Sequence, residues 1–344
     1  MTVRAPDPVE TAASPPDSAN EVETDSLLRR FASFALRCGM LWVLVVLVIV
    51  AQNLYPTFLT VDNVRNMMSQ NAPAAIIAVG MTFVIIGGGF DLSVGAIYGL
   101  GAVTFAKMTS HLSLGINLVV VALVGIAAGL INGLIITRFK VNPFVATLGT
   151  SSLFLGAGFI YSNNYPVVAE AGSDWLGAGQ FLGVPISGIV MVLVFLAGGI
   201  LLSRTTFGQS VRAVGGNGEA ARLAGLRVNT VRCTTYVLTG ALAAVAGSID
   251  TSKLSSGQAD QGASLPLLTI AIVILGGTSL SGGEGAMWRT VVGLLIIATM
   301  TNLFDSLAVT TAVQLMAQGA VLIAAVGFDM FGRAALPRRR VAKR

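Results

Sequence analysis

Ten apolar segments, separated by short polar stretches, dominate the chain from about residue 38 onwards. A helix needs roughly 20 apolar residues to cross the hydrocarbon core of a membrane. The pattern predicts helices over about 38–55, 72–90, 93–110, 114–137, 142–162, 184–203, 229–249, 264–281, 287–305 and 310–328. The second and third are short and are separated by a polar step around Asp91, so nine or eleven crossings stay open. We predict an all-α fold, a polytopic membrane helix bundle of about ten transmembrane helices.

Composition supports a membrane protein over a soluble domain. Of the 344 residues, 54% are hydrophobic and only 11% are charged, whereas soluble domains carry roughly 25% charged residues. The chain also contains 40 glycines, which suit membrane helices because small residues let helix backbones approach closely.

Basic residues are distributed asymmetrically along this pattern. With ten crossings and a cytoplasmic N-terminus, all but three of the 21 Lys and Arg residues fall in cytoplasmic segments; the exceptions are Arg65, Lys107 and Lys253. This positive-inside bias predicts that both termini are cytoplasmic. The same bias accounts for the net charge of +5, because the basic residues lie near membrane lipid. No nucleic-acid partner is therefore expected.

Three regions follow from charge and hydropathy. Residues 1–28 combine prolines with acidic residues and are predicted to form a disordered cytoplasmic tail. A cleavable signal peptide is not expected, because the first apolar run begins only after Arg29, Arg30 and Arg37. Residues 29–332 are assigned to a transmembrane domain, and residues 333–344 to a basic cytoplasmic C-terminal tail.

Metal, nucleotide and catalytic chemistry find little support. Two cysteines and one histidine leave no cluster for zinc. Leu280–Glu284 is similar to the LSGGQ signature of ATP-binding cassette ATPases, but none of the four lysines follows a glycine as a phosphate-binding loop requires. No carboxylate pair or nucleophile arrangement is evident. We therefore predict no metal, no cofactor and no catalytic residue in this chain, and we expect that it is not an enzyme.

Polar residues within or beside the apolar segments are candidates for a translocation path or gate. Asp91 lies next to Gly87–Gly89, and an ionisable group at membrane depth usually faces a cavity or a partner. Alternatively, Asp91 caps the third helix. The asparagines either bond between helices or line a polar conduit. The path or gate candidates are Asn71, Asp91, Ser93, Asn132 and Asn302; Asn142 has the same two alternatives.

A short motif of the form GG-x-x-LS-x-G occurs twice, at 88–95 and 276–283. Six predicted crossings separate the copies, and an even number would make the two halves parallel repeats. Chance similarity of two glycine-rich stretches is the alternative.

The longest predicted cytoplasmic connection, 204–228, is basic and contains a helix-like stretch over 219–224. Asn217 is a suitable N-cap residue for that helix, and Gly225 a suitable stop.

Four collinear stretches of the chain are similar to the membrane-spanning permease subunit of ribose/xylose-type ATP-binding cassette sugar importers, over about residues 38–330. They are 79–86 with 88–95, 132–133 with 142–150, Gly208 with 213–217 and 220–225, and 275–283. The resemblance implies a bacterial inner-membrane protein that carries a monosaccharide or related polyol into the cytoplasm. It also implies three partners: a second permease copy, a cytoplasmic ATPase that binds the ATP, and an extracytoplasmic sugar-binding protein.

The resemblance further implies that the 204–228 connection carries a coupling helix that docks on the ATPase; the alternative is a solvated amphipathic loop. The coupling candidates are Gly216, Asn217, Glu219, Ala220, Ala221 and Arg222. One departure concerns Pro266 and Leu268, where many relatives carry acidic residues, so ribose itself is not assigned. Two other functions stay open: a secondary transporter coupled to H⁺ or Na⁺ through Asp91, and a non-transporting scaffold or membrane enzyme.

Overall fold

The computed structural model describes residues 39–170 and 172–335. The tail predicted over 1–28 and most of the tail predicted over 333–344 lie outside these ranges. Within them the chain forms thirteen helices: α1 (Gly39–Leu54), α2 (Val61–Ile86), α3 (Val94–Met108), α4 (Leu114–Arg138), α5 (Pro143–Ser162), α6 (Trp175–Ala178), α7 (Ile186–Arg204), α8 (Thr206–Gly216), α9 (Gly218–Leu223), α10 (Val228–Leu254), α11 (Leu265–Leu275), α12 (Met287–Ser306) and α13 (Thr311–Ala335).

Four two-residue strands complete the described part of the chain. They are β1 (Val167–Val168), β2 (Gln180–Phe181), β3 (Val184–Pro185) and β4 (Ser256–Gly257). β1 pairs antiparallel with β4, and β2 with β3.

The mostly helical architecture is confirmed. Six helices of the described ranges are long and apolar enough to cross a membrane, namely α2, α4, α5, α7, α10 and α12, while α1, α3 and α11 are shorter apolar helices. Each of the ten predicted segments coincides with one helix, although the count of ten crossings stays a prediction. α2 begins at Val61, about eleven residues before its predicted start. α11 ends at Leu275 because Gly276 and Gly277 follow it.

Close helix packing at small residues builds the core. The second half of α2, from Ala72 to Ile86, is completely buried. α10 packs against α2, α3 and α4, and a Cβ at Gly125 of α4 would overlap the carbonyl oxygen of Gly240 in α10. Glycine at such positions allows backbone contact between membrane helices.

Large apolar side chains cover much of the outer surface of the bundle. Examples are Leu153 and Ile160 of α5, which are 69% and 80% exposed, and Ile200 of α7, which is 60% exposed. Extended apolar surface of this kind marks a membrane-facing protein.

α2 and α11 end in the same way. Gly88 has φ +79° after α2, and Gly277 has φ +85° after α11. At each end, the next N–H donates to a carbonyl five residues back: Gly89 to Val84 at 3.0 Å, and Thr278 to Val273 at 3.3 Å. These helix ends are related by 189 residues, one more than the sequence motif, and duplication of the two halves stays a prediction.

With ten crossings and a cytoplasmic N-terminus, the connection over 250–263 between the predicted helices 229–249 and 264–281 is expected to be a loop on the outer side of the membrane. In the structure this stretch packs against α3. α10 continues to Leu254, and the chain then runs back along α3. A Cβ at Gly257 would lie 2.5 Å from the carbonyl oxygen of Ala102, and a Cβ at Gly99 would overlap the carbonyl oxygen of Ala259. Glycines on both sides of this contact permit the approach, and a hydropathy pattern does not register it.

Candidate translocation and coupling sites

The connection between α7 and α10 forms two helices where the sequence predicts one. α8 precedes α9 directly, and the Thr205 hydroxyl accepts the N–H of Gly208 at the start of α8, at 3.3 Å. α8 was missed because it contains Gly208, Gly215 and Gly216, and glycine disfavours a helix interior.

The predicted ends of the second helix, α9, are confirmed. Asn217 Oδ1 accepts the backbone N–H groups of Glu219 at 3.1 Å and Ala220 at 3.0 Å, which is an N-cap. At the other end Gly225 has φ +86°, and Leu226 N donates to Ala221 O at 3.0 Å. The left-handed glycine terminates the helix as expected.

Five of the six coupling candidates are exposed, and the sixth is not. Ala221 is only 5% exposed and is therefore not open to a partner. The others are open to a partner; they are Gly216, Asn217, Glu219, Ala220 and Arg222. Leu223, absent from the sequence-based set, is 78% exposed and adds an apolar side chain beside them.

Glu219 and Arg222 form an ion pair on the exposed surface of α9. Arg222 donates from Nη2 to Glu219 Oε1 at 2.6 Å and from Nε to Oε2 at 3.2 Å. This hydrogen bond and the charge of Arg222 lower the pKa of Glu219, and Glu219 in turn raises the pKa of Arg222. An ion pair in full contact with solvent contributes little to stability, so its charges are available to a partner.

α8 meets the segments that follow α2 and α11 at a cluster of four closely packed glycines. We call this cluster the glycine junction; it consists of Gly88, Gly215, Gly282 and Gly283. A Cβ at Gly215 would overlap the carbonyl oxygen of Ile86, the last residue of α2. A Cβ at Gly282 would lie 3.0 Å from Gly88 Cα. Gly215 of α8 therefore contacts the last residue of α2 and, through Gly283, the turn that follows α11.

Three of the five path candidates meet in one buried chain of hydrogen bonds. Asp91 Oδ1 accepts the Ser93 hydroxyl at 2.6 Å, and Ser93 Oγ accepts the amide of Asn132 at 2.7 Å. Asn132 Oδ1 in turn accepts the Thr150 hydroxyl at 2.6 Å. The chain links the start of α3 to α4 and α5. Asn132 lies six residues before the end of α4 at Arg138, about 9 Å along the helix axis.

Asp91 does not occupy the N-cap position of α3, the helix it was predicted to cap. Its Oδ1 also accepts the backbone N–H of Ser93 at 2.9 Å, whereas Ser93 itself occupies the N-cap position of α3. The Asp91 side chain is fully buried, and Oδ2 has no hydrogen-bond partner among the described residues. The local role at the helix start is evident, and the role in a path stays a prediction.

The other path candidates lie elsewhere. Asn302 of α12 and Asn63 of α2 exchange two amide hydrogen bonds, at 3.0 and 2.9 Å. Asn63 is near the start of α2, at the opposite end from Asp91. Asn71 donates to Met67 O of its own helix at 2.9 Å. The five candidates therefore do not form one site. Asn142 caps α5, since its Oδ1 accepts Phe144 N at 2.9 Å.

A polar cleft that sequence reasoning missed opens beside the first turns of α2. Its volume is about 330 Å³. It lies between one face of α2 and the segment that leads to α7; its lining includes Asp62, Arg65, Asn66, Ser69, Gln180 and Pro185. The sequence signal that could have revealed this cleft is the helical spacing of Asp62, Arg65, Asn66 and Ser69, which come just before the apolar part of α2.

Comparisons with known proteins agree with this architecture. The family model described as branched-chain amino acid transport system / permease component matches residues 63–326. The ribose import permease protein RbsC of Bacillus subtilis is 40% identical over 316 residues, covering 90% of this chain and 97% of the relative. The Escherichia coli K12 ribose import permease protein RbsC is 37% identical over 292 residues, covering 83% and 91%.

A third relative is named for the transport of a different sugar. The L-arabinose transport system permease protein AraH of Escherichia coli K12 is 36% identical over 302 residues, covering 85% of this chain and 90% of the relative. No solved structure matches the chain. The family match over most of the helical bundle and the high identity to full-length relatives establish that the chain belongs to the family of permease components of the branched-chain amino acid transport system type.

Proposed function

We propose that the chain is the membrane-spanning permease subunit of an ATP-binding cassette importer that moves a monosaccharide or related polyol into the cytoplasm. Its relatives are named for the import of ribose and the transport of L-arabinose. It is a multi-pass protein of the bacterial inner membrane and a transporter subunit, not an enzyme.

The observation that carries the mechanism is the contact of α8 with the carbonyl oxygen of Ile86 and with Gly283. We place the ATPase on the exposed surface of α9. When the ATPase subunits close, α9 and α8 move as one unit. The glycine junction passes that motion to the ends of α2 and α11 without a flexible intermediate. The permease itself binds no nucleotide, since ATP is bound by the partner.

Two further partners complete the proposed importer. A substrate-binding protein delivers the solute on the extracytoplasmic side, and a second permease copy forms the other half of the pathway. In this arrangement the ten predicted helices each cross or enter the membrane and both termini are cytoplasmic. The positive-inside distribution of Lys and Arg supports this orientation.

The substrate is assigned only as a class. Pro266 occupies the first turn of α11, is buried, and lies beside Gly95, where a Cβ would be 3.0 Å from Pro266 Cδ. Acidic residues are expected near this point from the resemblance, and their replacement by Pro266 and Leu268 alters the local chemistry. The sugar is therefore left open among pentoses, other monosaccharides and polyols.

Purification with partners tests this function. The tagged chain is solubilised gently from its native membrane, and the co-purifying proteins are identified by mass spectrometry. We expect an ATP-binding cassette ATPase in stoichiometric amount, and ATP-dependent uptake when both are reconstituted with the binding protein. Uptake by the chain alone, abolished by a protonophore, would instead indicate a secondary transporter.

A further inference from the structure

The segment between α10 and α11, residues 256–264, is not a helix although it lies beside buried helices. We call it the re-entrant segment. Its small residues face α3: a Cβ at Gly262 would overlap the carbonyl oxygen of Gly95, and Gly257 approaches Ala102. Gly257, Ala259 and Gly262 are all buried.

The contacts with α3 fix the depth of the re-entrant segment. Ala259 lies level with Gly99, nine residues before the end of α3 at Met108, and Gly262 lies level with Gly95. At 1.5 Å per residue, these positions are about 14 and 20 Å below the outer end of α3. The hydrocarbon core is about 30 Å thick, so the segment enters the membrane deeply.

The length of α11, the helix that follows the re-entrant segment, agrees with this depth. Its 11 residues span only about 16 Å, which is about half of a membrane. The re-entrant segment provides the remainder of this crossing in a non-helical conformation. In place of a helical ladder, its first two residues pair as β4 with β1. Further along, Ala263 N donates to Asp260 O at 3.1 Å and Gln258 N to Gln261 Oε1 at 2.9 Å.

The opposite side of the re-entrant segment is polar and open. Gln258, Asp260 and Ser264 are exposed, whereas Ala259 between the first two is buried. Non-helical backbone at membrane depth is tolerated only where protein buries it or water reaches it, and a carboxylate facing lipid is costly. Lipid is therefore an unsuitable neighbour for this face.

We propose that the re-entrant segment lines the aqueous translocation path, with Gln258 and Asp260 as solute-contacting residues at mid-membrane. Amide, carboxylate and hydroxyl side chains accept and donate the hydrogen bonds that a neutral polyhydroxylated solute loses on leaving water. This inference rests on the proposed transport function. It assigns the specificity-determining contacts to this segment, where the sequence patterns indicated only an outer loop.

Cysteine labelling tests the proposal in the full chain. Cys38 and Cys233 are first replaced by alanine, and Gln258→Cys and Asp260→Cys are introduced singly; both positions are exposed, so neither substitution disturbs packing. Intact cells are treated with a small, charged, membrane-impermeant methanethiosulfonate. We expect both thiols to react. Two matched controls are expected not to react: Ala259→Cys, which faces α3, and Leu153→Cys on the exposed apolar face of α5.

A bulky reagent separates a deep path from a surface loop. Tyr165→Cys, 75% exposed on the connection after α5, should react with both the small reagent and a maleimide-linked polyethylene glycol. Gln258→Cys and Asp260→Cys should react with the small reagent only. Their failure to react with it, or their reaction with the bulky reagent as readily as Tyr165→Cys, overturns the proposal. These outcomes do not depend on ATP, so they are distinct from failure to recover an ATPase in the purification.

Discussion

The backbone N–H of Gly283 donates a hydrogen bond of 2.8 Å to the carbonyl oxygen of Ile86. This bond joins the turn after α11 to the last residue of α2, nearly 200 residues earlier in the chain. Gly215 of α8 packs on the same carbonyl oxygen. Three elements thus meet at a single backbone atom, which places α8 in direct contact with the end of α2 and with the turn after α11.

Gly215→Ala should disrupt that link. The added Cβ overlaps Ile86 O, and forcing extra atoms into a packed site typically costs about 1–3 kcal/mol. We expect uptake to fall at least several-fold while the ATPase still co-purifies, because the damaged contact with Ile86 is separate from the exposed surface of α9 where we place the ATPase. Transport and ATPase stimulation are measured in proteoliposomes.

Gly199→Ala in α7 is the matched control for this substitution, since Gly199 is not a coupling candidate. A Cβ there finds its nearest neighbour at 3.8 Å, at Met287 Cβ, which is ordinary van der Waals contact. It should therefore retain uptake close to that of the unmodified chain. Equal loss in both variants would show that general helix effects, and not the Ile86 contact, determine the result.

Asn217→Ala removes the side chain that caps α9. Losing an N-cap costs about 1 kcal/mol, which is a large fraction of the stability of a six-residue helix. We expect α9 to fray and less ATPase to co-purify, whereas Asn217→Asp, which keeps an acceptor for Glu219 N and Ala220 N, should bind the ATPase normally. Quantitative pull-down measures both. Undiminished ATPase recovery with Asn217→Ala would contradict a docking role for α9.

The local features of this region could be predicted from the sequence, whereas its long-range contacts could not. The Asn217 cap and the Gly225 stop depend on residues within one turn, so residue type and spacing suffice. The bond between Ser93 and Asn132 joins residues 39 positions apart, and neither residue carries a sign of its partner. The asparagines looked alike in sequence, yet Asn132 bridges helices while Asn71 bonds to its own.

Hydropathy located the apolar helices but not how far each extends across the membrane. The apolar run before Gly276 predicted a helix of ordinary length over 264–281, and α11 is shorter because Gly277 adopts a left-handed conformation. The re-entrant segment is absent from any periodic signal, since its position depends on matching small residues in α3. Such contacts are properties of a pair of segments, and a single segment does not reveal them.

Reversing the charges of α9 tests whether they contact the ATPase or only each other. Glu219→Arg alone should leave insertion intact and uncouple ATP hydrolysis from uptake. The double variant Glu219→Arg with Arg222→Glu restores an ion pair within α9 but presents the charges in reversed positions. We expect it to remain uncoupled in reconstituted transport assays. Recovery in the double variant would reduce the role of both residues to stabilising α9.

The same pair predicts how coupling depends on pH. Arg222 lowers the pKa of Glu219, so the contribution of the pair is present above the ordinary pKa of a glutamate. It is lost only as pH falls through the lowered value. ATPase stimulation should therefore not change with Glu219 ionisation between about pH 6 and 8. A pH step in that range that disappears in Glu219→Gln would contradict the assignment.

Two substitutions of Asp91 distinguish a role at the start of α3 from a role in the translocation path. Asp91→Asn keeps an oxygen that accepts the Ser93 N–H and hydroxyl, whereas Asp91→Ala leaves both buried donors without this acceptor. An unsatisfied buried group costs about 1–3 kcal/mol, so we expect Asp91→Ala to lower the thermal stability of the solubilised protein and Asp91→Asn to resemble the unmodified chain in stability and uptake. Thr150→Val provides a comparison, because it removes the distal bond to Asn132 and a longer one to Thr147 O of the same helix. It leaves Asn132 Oδ1 without its donor, whereas Asp91→Ala leaves two donors without an acceptor, so Thr150→Val should destabilise less. If Asp91→Asn is fully stable but inactive in uptake, the negative charge of Asp91, and not its hydrogen bonds at the start of α3, is what transport requires.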